Sequence, residues 1–176
     1  MDAEAFVLAL LDALPKKEIR GRKRLQKLAF FAKAAGAPVE TDFFLHDFGP
    51  YSPAIASATQ FLTLLGDLKE QDVSMGRLNK FVKLYTLNQS VSISPRLTDE
   101  VRETLLILDS YSTIELEIAS TLEFFRSKGY EWDKAVAATK QLKPAKSERN
   151  ILARARQAIA QVGLDERRRT NQVSGP

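Results

Sequence analysis

A lone histidine flanked by acids and hydroxyls is the stretch of this sequence best equipped for chemistry. His46 lies in Asp42-Phe43-Phe44-Leu45-His46-Asp47-Phe48-Gly49-Pro50-Tyr51-Ser52, close in sequence to two carboxylates, a phenol and a serine. A Ser–His–Asp relay needs a hydroxyl, a base to take its proton and an acceptor to orient the base. Ser52, however, precedes Pro53, and a serine before a proline reads as the N-cap and first residue of a helix. Its oxygen is then committed to backbone N–H groups, and no glycine-rich loop supplies an oxyanion hole. Metal ligation is equally poorly served. Alternate residues of an extended segment point to opposite faces, so Asp42 and His46 share a side that Asp47 leaves. His46 is expected to be structural or to touch a partner, and no catalytic, metal or cofactor residues are expected. Glu115 reads as a capping-box acid, with Glu117 and Glu123 on a solvated acidic face rather than in acid–base roles.

The second chemical feature is the basic run Arg22-Lys23-Arg24 with Lys27, placed at the start of a helix. Positive charge there opposes the helix dipole, so local stability does not explain it. Arg22 or Lys23, with the free N–H groups of that helix end, would suit a phosphate or a carboxylate. The expected partner-binding residues are therefore Arg22, Lys23, Arg24, Lys27, His46 and Tyr51. Charge is segregated along the chain: the formal net charge is +4, but Lys16–Lys33 carries +7, Lys140–Pro176 carries +6, and the rest carries −9. Such segregation favours polyanions or acidic protein surfaces as partners.

The 176 residues suffice for one domain or a domain with an appendage. The absence of cysteine removes disulfides, thiol catalysis and thiolate metal sites, and one histidine removes multi-His sites. With 44% apolar and 27% charged residues the composition is that of a globular protein. No apolar run is long enough to span a membrane and the start Met1-Asp2-Ala3-Glu4 is acidic, so a cytoplasmic location without membrane contact is expected.

Apolar spacing predicts helices over Ala3–Leu14, Arg22–Ala35 and Pro53–Leu65, the last burying Ile55, Phe61, Leu62 and Leu65. Lys16–Gly21 reads as a basic loop, Phe43–Phe48 as an extended segment and Gly49-Pro50 as a turn. Leu68–Val73 and Leu78–Leu87 read as strands, with Val91–Ile93 as a short edge. Beyond Pro95 come four helices: one capped by Thr98, one opened by the capping box Ser112–Glu115, one around Trp132–Thr139, and one capped by Ser147. The expected fold is mainly α with a small β-hairpin: a winged-helix-like N-terminal half (1–94), a helical C-terminal half (95–164) packed on it, and a flexible basic tail (165–176). A winged helix reads DNA with its third helix. Between Ser52 and Leu65 that helix offers Ser57, Thr59, Gln60 and Thr63 but no Lys or Arg. Nucleic-acid binding is thus the alternative reading, through Arg20, Arg22, Arg24, Thr59, Gln60, Arg167, Arg168 and Arg169.

Two motifs carry a family resemblance. Gly21-Arg22-Lys23-Arg24-Leu25-Gln26-Lys27-Leu28-Ala29-Phe30-Phe31 resembles the K-L-Q-K-L-x-Y-F helix of the bacterial YwgA-like proteins and the Panacea (SocA-like) antitoxin domain. Phe44-Leu45-His46-Asp47-Phe48-Gly49-Pro50-Tyr51-Ser52 resembles their H-x-Y-G-P-Y-S turn, with Phe48 where tyrosine is usual. Glu115–Ala119 and Lys143-Pro144 are similar to the helical second half of YwgA-like chains. The resemblance implies a mostly helical, winged-helix-like fold without an established catalytic site. It further implies direct protein binding of the antitoxin or adaptor kind, with a toxin or other neighbouring gene product as partner.

Overall fold

Helix starts follow local chemistry along the residues described in the computed structural model, 1–76 and 80–164. Asp2 accepts the Ala5 N–H at 2.8 Å to open α1 (Ala3–Asp12), which buries Phe6, Val7, Leu10 and Leu11. The next helix, α2 (Arg22–Ala34), begins at Gly21, whose φ of 104° favours glycine. Ser52 caps α3 (Pro53–Leu65) and Thr98 caps α4 (Asp99–Asp109). A capping box opens α5 (Thr113–Ser127): Ser112 Oγ accepts the Glu115 N–H at 3.3 Å and Glu115 accepts the Ser112 N–H at 2.7 Å. Each such cap is worth about 1 kcal/mol. Two further helices, α6 (Trp132–Leu142) and α7 (Arg149–Gln161), complete the set, with a 3-10 turn over Pro144–Lys146 between them.

Two small antiparallel sheets accompany the helices. One has the order β1 (Glu18–Arg20), β5 (Phe81–Leu87), β4 (Leu68–Ser74), with Glu18 opposite Thr86 and Leu68 opposite Leu87. The other is a hairpin of β2 (Phe44–His46) and β3 (Gly49–Tyr51), pairing Phe44 with Tyr51 and His46 with Gly49. The fold is therefore mixed, largely helical with small sheets. One cluster of buried apolar side chains runs from Phe6 in α1 through Leu28 in α2 and Leu122 in α5 to Ile159 in α7. Helix α5 sits deepest: Leu116 through Glu123 are all buried, because α2, α6, α7 and β3 pack around it. No helix among the described residues is long and apolar enough to cross a membrane.

Several expectations need correction. The loop Lys16–Gly21 contains β1, whose hydrogen-bonding partner lies far away in sequence. Gly49-Pro50 belongs to strand β3, and the reversal falls at Asp47-Phe48. Val91–Ile93 forms no strand. Phe61 and Leu65 are exposed on α3, whose buried residues are Ile55, Ala58, Thr59 and Leu62. Glu117 and Glu123 are buried, because α5 has no solvated face at those positions. Ser147 does not cap α7; its hydroxyl donates to the Lys143 carbonyl, and Glu148 holds the N-cap position without a side-chain bond. Leu78 and the tail from 165, with Arg167, Arg168 and Arg169, lie outside the described residues.

Candidate functional site

The first turn of α2 sends its basic side chains in different directions, as steps of about 100° per residue require. Arg22 reaches β5, where its Nε donates to the Tyr85 hydroxyl at 3.1 Å and its guanidinium lies 3.7 Å from Glu70. Arg24 turns to the end of α4. It donates to the carbonyls of Tyr111 and Asp109, both at 2.6 Å, and to the Asp109 carboxylate at 2.9 Å. It satisfies helix-end carbonyls there, which is a structural task. Lys23 and Lys27, four residues apart, share the face that looks at the hairpin. The Lys23 ammonium stands 3.3 Å from the centre of the Phe48 ring.

The hairpin is held against α2 and α5 by close backbone approach and by lysines. Gly49 has φ +87°, and a Cβ there would lie 2.9 Å from Thr121 Oγ1 on α5. Lys27 Nζ donates to the Pro50 carbonyl at 2.7 Å, and Lys143 Nζ donates to the Asp47 carbonyl. Gln26 grips the next residue in both directions: its amide donates to the Ser52 carbonyl at 3.0 Å and its oxygen accepts the Ser52 N–H at 2.9 Å. The Ser52 hydroxyl is buried, shared between the Ile55 N–H and Thr41 Oγ1. It is committed as a cap, and it does not line the cleft that His46 faces.

Beneath the hairpin lies a buried charge cluster that the sequence reading placed in solvent. Glu117 receives Lys143 Nζ at 2.9 Å and Lys146 Nζ at 2.8 Å. Burial alone would raise the Glu117 carboxyl, but the hydrogen bonds from Lys146 and Lys143 outweigh it and hold the pKa below the ordinary value. Lys27 is 2% exposed. Burial pushes its pKa down to about 7; Glu117 counters this, while Lys143, Lys23 and Lys146 add to it.

These elements enclose a cleft of about 420 Å³ between α2, the hairpin, α3 and Tyr85 of β5. Of the expected partner-binding residues, Arg22, Lys23, Lys27, His46 and Tyr51 line it and Arg24 does not. The His46 and Tyr51 rings stand 5.6 Å apart. Thr59 and Gln60 reach the same cleft, but Thr59 is buried and its hydroxyl donates to the Ile55 carbonyl at 2.7 Å. Arg20 is exposed on β1 and lies outside it. Asp42 is exposed, 3.9 Å from Lys33, and among the described residues no three of His, Asp and Glu gather as a metal site would require. Sequence reasoning missed Glu117, Lys143, Lys146 and Tyr85. Local spacing gave no signal for Glu117: Leu116, Ile118, Ala119 and Leu122 cover one side of α5 and leave Glu117 on the other, which is buried only because other elements pack there.

Beside the cleft, the outer face of α3 is apolar. The exposed stripe Ser57, Gln60, Phe61, Leu64 and Leu65 includes Phe61 at 50%, Leu64 at 83% and Leu65 at 58% exposure, and the helix contains no charged residue. Gln60 belongs both to this stripe and to the cleft wall.

Comparison with known proteins finds a similarity to the uncharacterized protein YwgA of Bacillus subtilis (strain 168), 30% identical over 112 residues. The matched region is 61% of this chain and 66% of that protein, so it spans slightly less than two thirds of the relative's length. The chain is YwgA-like to that extent. No family model and no solved structure matches.

Proposed function

We propose that this chain is a non-enzymatic regulatory binding module, antitoxin- or adaptor-like, that works by direct protein–protein contact through the outer face of α3. The observation that carries the reading is that α3 exposes Phe61, Leu64 and Leu65 and has no cation. The N-terminal half supports a winged-helix reading in its order, α1, β1, α2, α3, β4, β5, and in its sheet order β1-β5-β4, with the β2–β3 hairpin inserted before α3. In a winged helix α3 would enter the DNA groove, where phosphate neutralisation supplies most non-specific affinity and Arg-to-guanine bonds are the commonest specific contacts. An apolar helix in that position serves a protein interface instead. Burying a leucine as exposed as Leu64 contributes about 1.5–3 kcal/mol, and anchors of this kind dominate interface energetics.

The test is affinity capture of the protein with its native partners, after nuclease treatment, by the wild type and by Leu64→Glu and Arg20→Glu variants. A discrete protein retained by wild type and Arg20→Glu but lost from Leu64→Glu supports the reading. Nuclease-sensitive capture that fails with Arg20→Glu and survives Leu64→Glu would favour the nucleic-acid alternative. Leu64 is solvent-exposed, so its replacement should change folding stability by less than about 0.5 kcal/mol.

A further inference from the structure

The cleft has a charge balance that the docking face does not require. Its lining includes Arg22, Lys23, Lys27 and His46 and no Asp or Glu. The carboxylates beside its lining residues are already engaged: Glu117 by Lys143 and Lys146, and Glu70, 3.7 Å from Arg22, by Lys83 at 3.0 Å. Lys27, buried beside these lysines, has the Pro50 carbonyl as its hydrogen-bond acceptor and no carboxylate within 4.0 Å among the described residues. A buried ammonium with no carboxylate in contact and Glu117 shared with two other lysines is costly, and an anion entering from the open side of the cleft would lower that cost. The same wall carries the N-terminus of α2, a 13-residue helix with no acidic residue in its first turn and no side-chain cap. Helix dipole and first-turn N–H groups therefore add to the lysines in the same place.

The remaining walls set the size and shape of the occupant. Phe48, Tyr51 and Tyr85 present aromatic surface, and Leu25 and Ala56 present aliphatic surface. A volume of about 420 Å³ is at the small end of the range for sites that hold small organic molecules. A phosphate monoester carries close to two negative charges at pH 7 and a carboxylate one, so the strongly positive wall formed by Arg22, Lys23, Lys27 and the end of α2 matches a phosphate better than a carboxylate. We infer that the cleft is a receptor for a small organic phosphate monoester, its phosphate held by Arg22, Lys23 and Lys27 and its planar body packed against Phe48, Tyr51 and Tyr85. This goes beyond protein docking on α3 and stands independently of it.

Phenyl phosphate is the probe, with inorganic phosphate and phenol as the comparison arms, followed by backbone amide NMR on the full chain. The expected result is saturable binding of phenyl phosphate, with shifts confined to Arg22–Lys27 and His46–Tyr51. Inorganic phosphate should bind at the same amides but roughly tenfold more weakly, and phenol should not bind. One charge-assisted hydrogen bond lost should weaken binding by about tenfold or more, in Lys27→Met and independently in Lys23→Gln, which replaces an exposed side chain and keeps the fold. Equal binding of phenol, non-saturating shifts scattered over the basic surface, or an affinity unchanged in a folded Lys23→Gln protein would each overturn the assignment. The capture experiment on Leu64→Glu reads a different face, so either result stands when the other fails.

Discussion

Lys27 should make stability depend on pH in a direction opposite to that of an ordinary paired lysine. Its ammonium is buried near Lys23 from α2, Lys143 at the end of α6 and Lys146 in the 3-10 turn, with Glu117 of α5 as the nearby counter-charge among the described residues. Its pKa falls from 10.5 in the unfolded reference to about 7 in the folded protein, chiefly through burial. Between those values the unfolded chain binds the proton and the folded chain does not, so stability must rise with pH. The cost of charging is fully present below about pH 7 and disappears toward the unfolded value. At 1.36 kcal/mol per unit, the wild type should gain about 2.5 kcal/mol relative to Lys27→Met between pH 6 and pH 9. Methionine keeps the length of the side chain and has no charge to titrate, so the pH dependence of groups that do not interact with Lys27 cancels in the difference. Urea unfolding of both proteins at several pH values measures it, as a relative midpoint shift of roughly 1 M for m of about 2–3 kcal/mol/M. A difference that stays constant within about 0.5 kcal/mol over that range would show that Lys27 does not titrate between pH 6 and pH 9, and the electrostatic description of the cluster would be wrong.

Further changes probe the scaffold by urea unfolding. Gly49→Ala forces a Cβ against Thr121 Oγ1 at a φ of +87° and should cost about 2–4 kcal/mol, whereas Gly36→Ala, with φ +104° but nothing within 4 Å, should cost only about 1–2 kcal/mol. Arg24→Ala frees the carbonyls of Tyr111 and Asp109 and should lower stability by about 1–3 kcal/mol while leaving partner capture intact. Glu117→Gln leaves Lys143 and Lys146 without their counter-charge and should cost about 3–5 kcal/mol at neutral pH, a loss that an additional Lys143→Met change partly restores.

What the sequence disclosed depended on whether the deciding physics was local. The Ser112–Glu115 capping box and the Ser52-Pro53 helix start are legible because the bonds they make span three residues. Strand β1 was not legible, since Glu18–Arg20 becomes a strand only by pairing with Leu84–Thr86. Helix α3 has apolar residues on every side, so periodicity could not say that Ile55 and Leu62 turn inward while Phe61 and Leu65 face solvent. The gathering of Arg22, Lys23, Lys27, His46 and Tyr51 about one cleft follows from two motifs that adjoin in space. The departure of Arg24 depends on where the end of α4 lies, and the burial of Glu117 on how α2, α6 and α7 surround α5. Neither is encoded in local spacing.

Site-specific photo-cross-linking tests a docking role for α3 most directly. A p-benzoylphenylalanine residue replaces Leu64 on α3, 83% exposed, or Leu106 on α4, 48% exposed, and the protein is irradiated with its native partners present. A protein-docking α3 predicts a discrete protein adduct from position 64 and none from position 106. Adducts of equal yield from both positions, or adducts from position 64 that consist of nucleic acid, would contradict it.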